Sequence, residues 1–210
     1  MTTTSRTRER LLDAAWREAT QRGVADLTLA RVAARAGVSR QTVYLQFGNR
    51  STLLVEMARR IDRTSGFVER LAAARGGAPR AAFRRVLEVW FDYLPTILPV
   101  ARDLEASALT GGDGAEAYRD RMTDWREVIR LAVARVSGDL HARWTIDTAS
   151  DWTWAQVHPT SYHHLVAERG WTAELARRTL IASLQRELFA PRGTLRRTLR
   201  APRSWPARRR

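Results

Sequence analysis

The 210-residue sequence contains no cysteine and no lysine, and it has only 12 glycines and 7 prolines. Without cysteine there is no disulfide, no thiolate metal site and no cysteine nucleophile. No apolar run approaches membrane-spanning length, and the opening MTTTSRTRER lacks the apolar stretch of a secretory leader, so a cytoplasmic protein is expected. Catalytic patterns are equally scarce. There is no glycine-rich phosphate loop, no Ser/His/Asp order and no close carboxylate pair, so neither an enzyme nor a cofactor is expected. His158, His163 and His164 lack a carboxylate that would complete a His-x-x-His or Glu-x-x-His set, and structural or interface roles fit them better than metal binding.

What is present is positive charge, unevenly placed. All 36 basic residues are arginine, and the net charge is +14. Residues 1–50 hold nine arginines against four acids, and residues 191–210 hold eight arginines and no acid. The stretch between them is nearly balanced, with 19 against 18. A basic head, a neutral body and a basic tail are the division expected of a DNA-binding module joined to a body with another task. With 44% apolar residues the body can bury a substantial core. Three segments follow: 1–50 as a DNA-binding head, 51–190 as a body with another task, and 191–210 as a basic tail. The tail reads as disordered by composition, either strengthening DNA contact or serving as a solvated end.

The head is legible residue by residue. An amphipathic run from about Arg6 to Arg22 carries Leu11, Leu12, Ala15 and Ala19 on one side, and Gly23 stops it. Thr28 is placed to cap a second helix whose inner stripe is Leu29, Val32, Ala33 and Ala36. Gly37 supplies a left-handed turn, Val38 plugs the core, and Ser39 caps a third helix on which Val43 and Phe47 face inward. Arg40, Gln41, Thr42, Tyr44, Leu45 and Gln46 are left facing outward. Gln41 can pair bidentately with an adenine edge, Arg40 can take guanine or phosphate, and Thr42 can meet a thymine methyl. Tyr44, Thr28 and Ser39 suit phosphate positioning. Asn49 can cap the next helix and place Arg50 in a first turn that holds phosphate.

On these residues the sequence resembles the TetR family of one-component transcriptional regulators. The matching positions are Thr28, Val32-Ala33, Ala36-Gly37-Val38-Ser39, Thr42-Val43-Tyr44, Phe47, and Arg50 before Leu53-Leu54. Glu18-Ala19 stands where the family often has Leu-Phe, a volume that Trp16 can refill, and Leu45-Gln46 stands where it often has His or Tyr. The resemblance implies an all-α fold: a three-helix head plus a helical ligand-binding and dimerisation body.

In the body, helices are expected from about Asn49 to Thr64 and from Pro79 to Leu94. Pro95 and Pro99 bracket a turn, a further helix spans about Val100 to Leu109, and a long one runs from Ala115 to Val136. Apolar faces here could enclose an effector. Phe67, Trp90, Phe91, Leu94, Leu98, Tyr118, Met122, Trp125 and Ile129 are its candidate walls, with Asp103 and Arg126 as polar partners and Tyr93, Arg102 and Glu105 nearby. Further helices are expected over Asp147 to Val157, through Glu168, and from the Thr172 cap to about Phe189. The Glu168-Arg169-Gly170-Trp171 turn is typical of one branch of the family. Trp152, Leu175, Leu180, Ile181, Leu184 and Leu188 form a stripe wide enough for a two-fold dimer bundle.

The expected function is ligand-responsive transcriptional regulation: a homodimeric repressor of a near-palindromic operator, released by a small hydrophobic or amphipathic effector. Double-stranded DNA and a second copy of the chain are the expected partners, and no membrane is. Two other readings stay open on the residues alone, a helical small-molecule-binding protein without operator specificity and a sequence-independent nucleoid-type DNA binder.

Overall fold

The computed structural model describes residues 3–190, so the arginine-rich tail lies outside the described residues. Ten α-helices follow one another: α1 (Thr3–Arg22), α2 (Leu29–Ala36), α3 (Arg40–Phe47), α4 (Arg50–Thr64), α5 (Phe67–Ala74), α6 (Pro79–Leu109), α7 (Ala115–Ala134), α8 (Ile146–Gln156), α9 (Pro159–His163) and α10 (Ala173–Leu188). A wide π turn at His164–Glu168 continues α9. The described residues hold no strand, only an isolated bridge between Leu140 and Phe189. The fold is all-α.

Side-chain caps set the helix starts. Thr28, Ser39, Asn49 and Thr172 each accept from the backbone N–H three residues on, and Thr145 forms a reciprocal capping box with Thr148. Between α2 and α3 the chain turns at Gly37, whose φ of 65° is a left-handed conformation costly to any residue with a Cβ.

One expectation fails instructively. Pro95 and Pro99 do not bracket a turn but lie inside the 31-residue α6. Each removes one backbone donor, a loss that ordinarily breaks a helix. Both rings face solvent, and the segments on either side are anchored in different cores. Phe83, Leu87, Trp90 and Leu94 belong to the body cluster, whereas Val100 and Leu104 belong to the head cluster. Tertiary burial at both ends overrides the local penalty, and α6 becomes a rod joining the two cores. The head cluster also takes in Leu53, Leu54, Met57 and Ala117, so its packing crosses the expected boundary at residue 50.

Candidate DNA-reading face and effector cavity

In the head, Val32, Ala33, Val43 and Phe47 are buried as expected, and α3 turns its other face outward. Arg40 and Gln41 are exposed, with Tyr44 at 64% and Leu45 at 76%. Thr42 and Gln46 are half-buried: the Thr42 hydroxyl lies 2.9 Å from that of Ser39, and the Gln46 carbonyl accepts from Arg8 at 2.8 Å. Thr28 and Ser39 spend their hydroxyls on caps at Arg31 N and Thr42 N, while both residues remain exposed. An exposed Leu beside an exposed Tyr on a short helix leaves apolar area that internal packing does not use, and this is the surface that base edges could cover.

Arg50 is placed differently from the phosphate anchor expected of it. Its guanidinium donates to the carbonyls of Leu27 (2.7 Å) and Val24, and it pairs with Asp113 at 3.1 Å. The reason is local: the α1–α2 loop leaves carbonyls without helical partners, and Arg50 satisfies them. It therefore ties the head's loop to the start of α7. Asp103 works at the same seam. Rather than lining a cavity, its carboxylate accepts from the Val24 backbone N–H at 2.8 Å. Ser51 to Glu116 (2.7 Å) and Arg59 to Asp120 (3.0 Å) extend the seam along α4 and α7.

A cavity of about 630 Å³ opens between α4, α5, α6 and α7. Phe67, Trp90, Tyr118, Met122 and Trp125 line it, as expected. Phe91, Leu94 and Ile129 do not; they are buried in the body core, where the inward side of each helix packs on its neighbours. Leu98 packs at that core's edge, and exposed Arg126 pairs with Asp151 at 2.6 Å. The spacing on α6 and α7 identified the right helices but not which side of each the cavity takes. Trp16, from α1, is a wall that only the tertiary structure discloses, as are the residues of α4 and those of α5 other than Phe67.

A charged network closes one wall. Tyr93 donates to Asp62 at 2.5 Å, and Arg121 bonds Asp62, Asp120 and Asp124. Burial pushes the Asp62 carboxyl above the usual carboxylate range, against the pull of Tyr93 and Arg121. Burial acts in the same direction on Asp120, but hydrogen bonds from Arg59 and Arg121 outweigh it and hold that carboxyl low. Burial together with the Asp62 charge raises the Tyr93 phenol.

His158 caps α9. Its Nδ1 accepts from Thr160 N at 3.3 Å, leaving Nε2 to carry the proton toward the Tyr118 hydroxyl at 2.9 Å. Burial lowers its pKa, and burial with the nearby Glu105 charge pushes the Tyr118 phenol up to about 12. Among the described residues, no group of three His, Asp or Glu is placed to hold a metal ion.

Of the stripe expected at a dimer interface, Ile181, Leu184 and Leu188 are buried within their own chain and face its core. Trp152 (40%) and Leu175 (38%) are exposed and Leu180 is half-buried. The width of the stripe reflects a helix packed on its own body along one side with an apolar margin on the other.

A compact three-helix head with a capped helix-turn-helix, fused through a long rod to a hollow helical body, defines the class of helix-turn-helix regulators. Residues 11–57 match the model of the bacterial regulatory proteins of the tetR family. The match places the head, from within α1 to the first half of α4, in that family. It is 29% identical over 133 residues to the HTH-type transcriptional regulator BetI of Brucella anthropi, a match covering 63% of this chain and 64%, less than two thirds, of that relative. Among solved structures, a Rhodococcus sp. protein described as a TetR-family regulator superposes with a TM-score of 0.72 at 24% identity, covering 88% of this chain and 99% of that one. A regulator from Saccharomonospora viridis, solved in complex with choline, gives 0.72 at 20% identity over 89% and 100% of the two chains.

Proposed function

We propose that the protein is a homodimeric, ligand-released repressor that reads a near-palindromic DNA operator through α3. The exposed Gln41, Tyr44 and Leu45 on a rigidly capped recognition helix carry this reading. Arg40, Thr42 and Gln46 flank them as further contacts, with Thr28 and Ser39 near the backbone. The exposed apolar margin of α8 and α10, at Trp152 and Leu175, is the surface for the second copy, and two-fold pairing would present two heads to successive half-sites. The choline held by the Saccharomonospora viridis neighbour supports a small-molecule effector in the body. Such an effector, between α4, α5, α6 and α7, would shift α4 and α6 and so change the head separation that simultaneous docking requires.

The first test is selection of DNA from a random pool, followed by titration against bulk DNA. A two-fold-symmetric sequence bound at least about 10³ times more tightly than bulk DNA is the expected result, and one protomer pair per site by sedimentation. No enrichment would overturn the reading. In the same titration Gln41→Ala should lose discrimination at one base pair per half-site, by about 1–3 kcal/mol. Arg50→Ala should instead weaken all sequences together, by loosening the α1–α2 loop.

A further inference from the structure

The cavity lies on the seam between the two hydrophobic cores. At one end its walls are Phe67, Leu71, Trp90 and Trp125 of the body core; at the other they are Val100, Leu104, Trp16 and Tyr118, which belong to or pack against the head core. Along α6 the lining runs from Trp90 to Leu104, about 21 Å of helix at ~1.5 Å per residue. The space therefore extends along α6 from the body core to the head core.

Its charge is biased as well. The carboxylates on its walls are engaged: Asp62 and Asp124 by Arg121, and Glu127 by Arg130 at 2.7 Å. Arg63 and Arg75, exposed where α4 and α5 border the opening, have no acidic partner among the described residues. Four of the lining rings pair face to face, Trp90 on Trp125 at 4.0 Å and Phe67 on Tyr93 at 4.1 Å, so each has one face covered. A quaternary ammonium binds best where several free ring faces surround one cation, and this pairing removes half of the faces these four rings could offer.

From these observations we infer that the effector is an elongated amphiphile with an anionic end, its carboxylate held by one of the arginines at the opening, Arg63 or Arg75, and its apolar chain reaching Trp16 of the head. The inference rests on the repressor reading above and deepens it. Trp16 is the side chain through which occupancy is felt directly by α1. A chain too short to reach it fills only the body end and leaves the head in place.

The experiment uses n-alkanoates from hexanoate to hexadecanoate, with n-alkanols and n-alkyltrimethylammonium salts of the same lengths, all below micelle-forming concentrations. Binding is followed by calorimetry, and release by polarisation of a labelled operator taken from the selection. Alkanoate affinity should rise about fourfold per added methylene until the space is filled. At equal length alkanoates should bind about tenfold more tightly than the ammonium salts. Release should begin only beyond a threshold chain length. Arg63→Ala with Arg75→Ala should erase the advantage of alkanoate over alkanol. Trp16→Ala should move the release threshold to longer chains, and Trp16→Phe should move it less; operator binding without ligand reports that both variants are folded. Ammonium salts binding as tightly as alkanoates, affinity independent of chain length, or a threshold unmoved by Trp16→Ala would each overturn the proposal. Tight, length-dependent alkanoate binding without release at any length would overturn the release mechanism and sustain the ligand class. Failure to select any operator would instead count against the repressor reading, and calorimetry alone would then decide the ligand.

Discussion

Replacing Arg121 with Met is expected to destabilise the protein by about 3 kcal/mol at neutral pH, near the lower end of the ~3–5 kcal/mol found when one partner of a buried ion pair is removed. The unfolding midpoint should fall by about 6–12 °C, which thermal circular dichroism would measure. Arg121 and Asp62 are both mostly shielded, at 17% side-chain exposure each, and without Arg121 the Asp62 carboxylate keeps only the Tyr93 hydroxyl. The sign of the pH dependence follows. Asp62 titrates above its ordinary value in the folded chain, so its contribution to stability is fully present below that value and is lost as pH rises through the folded pKa. Removing the cation raises that pKa further. The deficit of the variant should therefore be small in acid and widen as pH climbs above about 4 toward neutrality. Adding Asp62→Asn should recover part of the loss, because the uncompensated charge goes with it. An unchanged midpoint in Arg121→Met would mean that water, not Arg121, solvates Asp62.

The second large effect is expected at Trp90. Its indole is 3% exposed and donates to the Val157 carbonyl at 2.7 Å, pinning α6 to the junction of α8 and α9. Trp90→Ala removes the ring stacked on Trp125 and merges its volume with the cavity, at a cost of about 3–5 kcal/mol. Trp90→Phe keeps most of the packing but leaves the Val157 carbonyl without its donor, a loss of about 1–3 kcal/mol. Chemical denaturation of both variants separates packing from the hydrogen bond. Equal losses would show that the stacked ring contributes little and that the bond dominates.

The head was legible because its constraints are local. A cap, a left-handed glycine and apolar positions three and four apart can all be read from neighbouring residues, and the structure repeats them at Thr28, Gly37, Ser39, Val43 and Phe47. The cavity was legible only by region. Trp90 and Trp125 share helical spacing with Phe91 and Ile129, and no local property says which of them borders empty space. Trp16 and Asp62 gave still less signal, since their roles come from α1 and α4 meeting α6 and α7. Arg50 shows the opposite error: its position in a first turn suits a phosphate, yet two loop carbonyls nearer in space claim it. Ile181, Leu184 and Leu188 look like interface by count, and the packing of α10 on its own body absorbs them.

The sequence by itself determined the helical class, the capped helix-turn-helix and the exposure of Arg40, Gln41, Tyr44 and Leu45, because each rests on contacts within a few positions of the chain. Tertiary structure alone decided that α6 continues through two prolines, that Trp16 borders the cavity, and that Asp62 and Arg121 share one wall. Those outcomes depend on which surfaces compete for burial once the helices pack. A head core and a body core, each too strong to release its end of α6, leave a space between them that both cores border.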